Sequence, residues 1–273
     1  MLEEIGLKDI KKIIDAIRES RGIDFSDYAF SSFRRRITRF LEINKIRNID
    51  ELSGKIKSEA VFTDQLIKEI TVNVTEMFRD PSFWVVLRDS VIPQLADIPS
   101  INIWHAACST GEEVYSMAIL LKEASLLKKS SIIATDINNN VLEVARQGSY
   151  PVRNQELNSR NYDAFGGKGK LSDYYKVING MVHYDKQLIS RAEFRCHNLA
   201  KDGPFSDFNL VICRNVLIYF NSELQERVIH TFGQSLARNA FLGIGSKETI
   251  AWCKSSRLFE EVSVEEKIYR KVS

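Results

Sequence analysis

Apolar residues recur every three or four positions between Lys8 and about Thr71, which is the spacing of one face of an α-helix. Short polar segments, such as Arg21–Asp24 and Lys45–Asp50, interrupt this pattern. The pattern predicts a region built only from helices. We place this helical domain at residues 1–72.

The clearest predicted helix runs from Ser31 to Ile43 and is basic, with four arginines against one glutamate. Its apolar face consists of Phe33, Ile37 and Phe40, with Leu41 and Ile43 at the edges. Arg35 and Arg39 point the opposite way. A charged face is ordinarily a solvated one, whereas the planar guanidinium group of arginine favours binding to carboxylates. At this point both interpretations stay open.

From about Ile101 onwards, short apolar segments alternate with segments of helical spacing. The predicted strands are Ile101–Ala107, Ser131–Asp136, Ala192–Cys196, Asp207–Cys213, Ala240–Ser246 and Glu266–Val272, and the predicted helices are Val114–Lys128, Asn140–Gly148 and Ser222–Ala237. This alternation predicts an α/β domain with a parallel sheet between helices, which we place at residues 73–273. A ligand then binds at the carboxyl ends of the strands. Residues 149–192 break the rhythm, and we expect an inserted subdomain there with short antiparallel strands.

The first strand leads through Cys108–Gly111 directly into a helix, which predicts a ligand-binding turn. Gly111 permits a tight turn, and the helix start presents unpaired N–H groups. Thr110 and Glu113 have the spacing of a capping box, so we assign Glu113 to the cap and Glu112 to the ligand. The register of Ser109 with Glu112 fits the same motif and stays open.

Asp136 ends the second predicted strand, where nucleotide-binding α/β folds place an acid on ribose hydroxyls. The alternative is that Asp136 caps the next helix, a role that a residue of Asn138–Asn140 fills equally well. The chain has a single glycine at its first turn and no G-x-G-x-x-G motif. This disfavours a dinucleotide and a nicotinamide oxidoreductase, and favours a cofactor without phosphates.

The third polar group follows the strand Asp207–Cys213 and consists of Arg214, Asn215 and Tyr219. Its position at a carboxyl strand end predicts a place in the active-site crevice. For Tyr219, packing on a helix face is the competing interpretation.

Composition narrows the class of protein. The chain of 273 residues is 44% hydrophobic and 27% charged, as in ordinary packed proteins. Its net charge of +2 gives no basic field for coating nucleic acid, so we expect no nucleic-acid partner. The four cysteines form no C-x-x-C pair and the four histidines lack the spacing of a metal site, so we expect reduced thiols and no metal.

Two further features bear on location. Met1–Glu4 is acidic and an amphipathic pattern follows it, so we expect no signal peptide. The most apolar stretch, Leu210–Phe220, is too short to cross a bilayer. We therefore expect a cytoplasmic protein without direct membrane insertion.

Six motifs, in order along nearly the whole chain, resemble those of the CheR-type chemotaxis receptor methyltransferases, which use S-adenosylmethionine (SAM). They are Gly22–Tyr28 with Arg34–Arg39, Val72–Pro81, Ala107–Glu113, Ala134–Ile137, Asn198–Leu199 and Cys213–Phe220. The resemblance implies a Rossmann-like SAM-dependent methyltransferase domain, preceded by a small all-helical domain. It also implies the set of cofactor-binding residues Asn73, Thr75, Arg79, Glu112, Asp136, Asn198, Leu199, Asn215 and Val216.

The implied reaction is methylation of glutamate side chains on the cytoplasmic helical bundle of methyl-accepting chemoreceptors, giving glutamyl methyl esters. The protein would then be recruited to membrane receptor arrays. Tyr219 and Arg214 are the implied catalytic residues on the substrate side, although Arg214 could serve structure more than catalysis. Because such bundles are acidic near their methylation sites, the resemblance favours Arg35 and Arg39 as partner-binding residues. A non-catalytic cofactor sensor or receptor-binding module with the same fold is the alternative.

The chain departs from the family pattern in a few places. Met77 replaces a usual Phe, and Gly243–Glu248 replaces a usual Gly-His-Ser-Glu run. We expect these changes to lie away from the cofactor contacts and to affect substrate docking first.

Overall fold

A computed structural model describes residues 5–272 and divides into two units. The first unit comprises the residues up to 73 together with Ile218–Gln225, and the second comprises Val74–Leu217 and the residues from 226 onwards. This division assigns to the first unit the segment Ile218–Gln225, which the sequence pattern groups with the second domain. Met1–Glu4, on which the expectation about a signal peptide rests, and Ser273 lie outside the described residues.

The first unit contains the helices that the sequence pattern predicts. They are α1 (Leu7–Arg21), α2 (Phe30–Asn44), α3 (Ile49–Ser58) and α4 (Ala60–Thr71). Gly22 ends α1 in the left-handed backbone conformation, which glycine adopts at little cost. Asn48 begins α3, because its side chain accepts a hydrogen bond from the N–H of Glu51.

Helix α2 is the predicted basic helix and buries a stripe of side chains. The buried residues are Phe33, Ile37, Phe40 and Leu41. Ile43 differs from its predicted place at the edge of the apolar face. It is 61% exposed, because the rotation along the helix places it away from the buried face. Arg35 and Arg39 are exposed, as the pattern predicts.

The second unit is built on a sheet of seven strands, with a smaller sheet of three. The strands are β1 (Ile101–Ala106), β2 (Ser130–Asp136), β3 (Ser149–Pro151), β4 (Tyr175–Ile178), β5 (Met181–Tyr184), β6 (Ala192–Cys196), β7 (Phe208–Cys213), β8 (Leu236–Ile244), β9 (Phe259–Ser263) and β10 (Ile268–Lys271). The large sheet has the order β6-β2-β1-β7-β8-β10-β9.

The first five strands of that order are parallel, and β10 is antiparallel to both β8 and β9. The order of the strands reverses at β1, so the crevice outside the carboxyl ends of β1 and β7 is the topological switch point of the sheet. The predicted α/β fold class is therefore confirmed. Strand β9 is not among the predicted strands, because only its pairing with β10 distinguishes this exposed segment from a loop.

Helices connect and flank these strands. They are α5 (Pro81–Val86), α6 (Ile92–Leu95), α7 (Glu112–Glu123), α8 (Asn139–Gln147), α9 (Gln155–Phe165) and α10 (Ser222–Ser235). Helix α7 ends earlier than the predicted Lys128, because Ser125 adopts a φ of 62°, which a right-handed helix cannot continue. No helix within residues 5–272 is both long and apolar enough to cross a membrane.

Residues 149–192 contain the small antiparallel sheet, in the order β3-β5-β4, and helix α9, which the sequence pattern does not predict. Asn179 and Gly180 join β4 to β5 with φ values of 50° and 74°, as in a tight hairpin turn. The run Gly166–Gly169 follows α9, and a Cβ at Gly167 would come within 2.0 Å of the Tyr162 ring. Glycine is therefore required there by packing.

Candidate cofactor and active site

The turn between β1 and α7 has an unusual backbone conformation. Ala107, Ser109 and Gly111 have φ values of 58°, 51° and 92°. Two of them carry a Cβ, so the turn stores local strain of the kind that clusters at functional sites. A Cβ on Gly111 would lie 2.7 Å from the Cβ of Ala145, so glycine is needed for close packing as well as for its φ.

Asp136 ties the end of β2 to this turn. Its carboxylate is 5% exposed and accepts hydrogen bonds from the N–H of Ser109 at 2.9 Å and of Asn138 at 3.0 Å. Burial raises the pKa of Asp136 although these backbone donors lower it. Asn138 caps α8, since its side chain accepts from the N–H of Asn140, so Asp136 is not the cap of that helix.

Glu112 lies at the start of α7 and is 7% exposed. The hydroxyl of Thr110 donates to its carboxylate at 2.6 Å. Burial raises the pKa of Glu112 from 4.5 to about 7. The predicted capping box is wrong: the N-cap of α7 is Gly111, which has no side chain to accept a hydrogen bond, and the Thr110 hydroxyl donates to Glu112 instead.

Glu113 belongs instead to a buried group of hydrogen-bonded side chains. Its carboxylate lies 3.0 Å from Nδ1 of His105 and 3.3 Å from Nη1 of Arg214. Burial raises the pKa of Glu113, but the hydrogen bonds and charges of His105 and Arg214 outweigh it, so the pKa lies below 4.5. His105 is fully buried, and its ring is held by this contact with Glu113.

Arg214 is held on several sides. Its side chain is 2% exposed, and Nη2 donates to Asp80 at 2.6 Å while Nη1 donates to Glu113. The guanidinium group also stacks over the ring of Phe83, 4.1 Å from its centre. The positive charge of Arg214 at the end of β7 is therefore paired with carboxylates of the protein itself. Asp80 lies in the segment Val72–Pro81, but no local sequence pattern predicts its pairing with a residue 134 positions away.

Asn215 and Val216 follow Arg214 in a turn that a distant carboxylate holds. Asn215 has a φ of 61°. The carboxylate of Glu248 accepts hydrogen bonds from the N–H groups of Asn215 at 3.0 Å, Val216 at 2.7 Å and Gly245 at 2.6 Å. The expectation that Gly243–Glu248 lies away from the predicted cofactor residues is thus wrong, because sequence separation hid the contact.

Asn198 and Leu199 lie in the turn after β6. The backbone N–H of His197 donates to the carbonyl of Asp136 at 3.0 Å, which brings this turn to the end of β2. The Asn198 side chain accepts from the N–H of Ala200 at 2.9 Å, so its oxygen supports its own turn. Leu199 is 9% exposed and offers an apolar surface.

Thr75 and Arg79 lie in the segment before α5, and both are half-buried. Nη1 of Arg79 donates to the carbonyl of Val74 at 3.3 Å, and no carboxylate of residues 5–272 pairs with its guanidinium group. Met77, in the same segment, is fully buried.

Asn73 and Tyr219 belong to the first unit. The Asn73 amide donates to the hydroxyl of Thr71 at 3.1 Å. Tyr219 is half-buried, and its backbone carbonyl accepts from the N–H of Ala29 at 2.8 Å. This contact belongs to the backbone, so the Tyr219 hydroxyl has no structural task in it.

Comparison with known proteins decides the family. Residues 73–268 match the SAM-binding domain of the CheR methyltransferases, and residues 8–71 match the all-alpha domain of the CheR methyltransferases. The chain belongs to the CheR methyltransferase family. The resemblance in the six motifs is confirmed.

Relatives match over nearly the full chain. The putative methyltransferase Cher3 of Pseudomonas putida is 41% identical over 268 residues, which cover 96% of each chain. The chemotaxis protein methyltransferase of Listeria innocua is 34% identical, and that of Listeria monocytogenes 33% identical, each over 89% of this chain and 90% of the relative.

The switch-point residues of this CheR family member fit a SAM-type cofactor. Glu112 and Asp136 are buried carboxylates that have no ion-pair partner among residues 5–272. The buried Ser109 hydroxyl, beside Asp136, also lacks a hydrogen-bond partner within that range. A ligand with an ammonium group and ribose hydroxyls would satisfy such acceptors. Across residues 5–272 no group of three metal-ligating side chains comes together.

Proposed function

We propose that this protein transfers a methyl group from SAM to glutamate side chains of chemoreceptors, giving glutamyl methyl esters in chemotaxis. The observation that carries the proposal is the match of both CheR domains in order, on a chain that brings Glu112 and Asp136 to the sheet's switch point. The names of the Listeria relatives support the assignment to chemotaxis.

Several of the proposed cofactor residues are assigned to parts of SAM by the chemistry of their side chains. Asp136 accepts from the ribose hydroxyls, and Glu112 meets the ammonium group. Arg79, whose guanidinium group has no carboxylate partner among residues 5–272, pairs with the methionine carboxylate. Asn198 and Leu199 lie beside the adenine, and Asn73, Thr75, Asn215 and Val216 complete the site. When bound, the cofactor supplies an electrophilic methyl group on a sulfonium.

The acceptor needs little acid–base help from the protein. A glutamate side chain with a reference pKa of about 4.3 is already an ionised nucleophile at neutral pH. The protein has to strip water from this carboxylate and align one oxygen for in-line displacement. We assign that orienting role to the Tyr219 hydroxyl. Arg214 acts as a positioning residue for the end of β7, since Asp80 and Glu113 already engage its guanidinium group.

Receptor binding is assigned to the exposed face of α2. Arg35 and Arg39 are exposed there and carry the charge that would complement an acidic helical bundle. Arg39 also lies 3.3 Å from Glu69, whereas Arg35 makes no ion pair among residues 5–272. Arg35 is therefore the arginine of this face that is more available to a partner.

The test is transfer of labelled methyl from SAM to membranes that carry chemoreceptors of the same organism. Base-labile release of labelled methanol is expected, because esters hydrolyse in base and N-methyl groups do not. SAM binding is measured in parallel by calorimetry. Tight SAM binding without transfer to any receptor would favour a cofactor sensor or receptor-binding module, and absence of SAM binding would overturn the cofactor assignment.

A further inference from the structure

Glu248 is a buried carboxylate that accepts hydrogen bonds from three backbone N–H groups. It is 4% exposed, and one oxygen accepts from Gly245 and Asn215 while the other accepts from Val216. The bonds join two loops that follow neighbouring strands, β7 and β8.

The turn that Glu248 holds is not one that the backbone adopts by itself. Asn215 has a φ of 61°, a conformation that costs free energy in a residue with a side chain. The preceding Arg214 is fixed by Asp80 and Glu113, so the ion pairs and the Glu248 carboxylate hold successive residues of one turn. Gly245 completes the arrangement, because a Cβ there would lie 2.8 Å from the Glu248 carboxylate and 3.0 Å from the N–H nitrogen of Asn215.

We propose that Glu248 is a positioning residue for cofactor binding, which fixes the backbone of Asn215 and Val216 in the left-handed turn that the cofactor meets. This inference rests on the proposed function, since it takes Asn215 and Val216 as cofactor-binding residues. It gives the segment Gly243–Glu248 a role in cofactor binding. From the sequence, we expected the changes in this segment to affect substrate docking.

Glu248→Gln is the sharpest variant, because it keeps the shape and replaces one acceptor oxygen with an NH2 donor. Whichever way the amide turns, its NH2 group faces at least one of the backbone N–H donors. We expect the Kd for SAM and for S-adenosylhomocysteine to rise by about 10- to 100-fold, the range for small displacements of a binding group.

Glu226→Gln is the matched control. The Glu226 carboxylate accepts in the same way from the backbone N–H groups of Lys254 and Ser255, but it holds no predicted cofactor residue. A merely structural loss would lower the Tm of both variants and leave the Kd of the folded protein unchanged. We expect Glu226→Gln to keep the cofactor Kd within about twofold of the original protein.

Gly245→Ala perturbs the same contact while keeping the carboxylate, and Gly203→Ala, which has open space around it, is its control. Gly245→Ala should raise the cofactor Kd and Gly203→Ala should not.

Hydrogen exchange on the unaltered protein adds a measurement that needs no variant. The amides of Asn215, Val216 and Gly245 lie outside the strands and should exchange slowly only if Glu248 holds them.

Fast exchange of these amides, or an unchanged cofactor Kd in folded Glu248→Gln, would overturn the inference alone. If Glu248→Gln does not fold, Gly245→Ala and the exchange rates decide instead. If the unaltered protein fails to bind SAM, the proposed function fails and the inference fails with it. The two failures are therefore distinguishable.

Discussion

Glu112 and Glu113 are neighbours in sequence, yet their carboxylates have opposite electrostatic surroundings. Glu112 is buried and, among residues 5–272, has only the Thr110 hydroxyl as a side-chain donor, so burial raises its pKa to about 7. Glu113 contacts His105 and Arg214, and its pKa falls below 4.5 although burial opposes this. Glu113 is satisfied within the protein, and Glu112 is the carboxylate that we propose for ligand binding, which is the division expected between a structural and a binding residue.

Glu112→Gln should stabilise the protein without cofactor at alkaline pH. A carboxyl group whose pKa is higher in the folded state contributes stability below its unfolded pKa of 4.5, and this contribution is lost as the pH rises to about 7. At about 1.4 kcal/mol per pKa unit, the ionised Glu112 costs up to about 3 kcal/mol at pH 8. Urea unfolding should show the variant more stable at pH 8 and similar to the original protein at pH 4.

The same variant should bind SAM more weakly, because the amide cannot pair with an ammonium group. Stability gained together with affinity lost is the signature of a residue kept for binding. Equal urea midpoints of the two proteins at pH 8 would contradict the assigned environment of Glu112.

Glu113→Gln should destabilise the protein by about 3–5 kcal/mol at pH 7, because it leaves the buried Arg214 without one of its charge partners. The sign of the pH dependence is opposite to that for Glu112. A carboxyl group with a lowered pKa contributes stability above its unfolded pKa, which is lost as the pH falls through the folded value. The difference between variant and original should therefore shrink below pH 4, and a loss that is independent of pH would count against the ion pair.

Asp136→Ala should abolish measurable SAM binding or raise its Kd at least about tenfold, since it removes an acceptor for the ribose and the partner of the Ser109 N–H. Asp185→Ala is a suitable control. Asp185 also accepts from a nearby backbone N–H, that of Gln187 at 2.9 Å, but it lies in the inserted subdomain. Calorimetric titration with SAM measures both, and retained affinity in Asp136→Ala would refute the assigned site.

Tyr219→Phe separates catalysis from structure. The bond between Ala29 and Tyr219 uses the backbone carbonyl, so removal of the hydroxyl should leave the Tm nearly unchanged. If the hydroxyl orients the acceptor carboxylate, receptor methylation should fall by about 10- to 100-fold, the worth of a hydrogen bond to a charged group. SAM affinity should stay the same. Full methylation by the variant would remove Tyr219 from the catalytic residues.

Periodicity and strand-end positions are sufficient to predict most of the fold, because burial imposes a local pattern. Helices α1 to α4 and strands β1, β2, β6 and β7 follow from that pattern. Helix α9 and strand β9 do not, since α9 is polar for much of its length and β9 is an exposed edge strand whose conformation comes from pairing.

The site shows the same limit at the level of single residues. Glu112 and Asp136 follow from the rule that ligands bind at carboxyl strand ends. The capping box fails because Gly111, and not Thr110, is the N-cap of α7, and because Glu113 contacts His105 and Arg214, which no local pattern contains. Asp80 and Glu248 form hydrogen bonds with residues more than thirty positions away, so no local pattern predicts these contacts.

Charge reversal on α2 tests the proposed receptor surface. Arg35→Glu should weaken binding to receptor membranes and flatten its dependence on salt, while SAM affinity and Tm stay unchanged, because Arg35 makes no ion pair among residues 5–272. Arg39→Glu should weaken receptor binding and also lower the Tm slightly, because the new glutamate repels Glu69.

Lys11→Glu is the control for long-range attraction. It is an exposed change on α1 of the same unit and alters the net charge equally. Cosedimentation with receptor membranes at two salt concentrations measures all three, and an equal loss in Lys11→Glu and Arg35→Glu would mean that net charge, not the α2 face, governs binding.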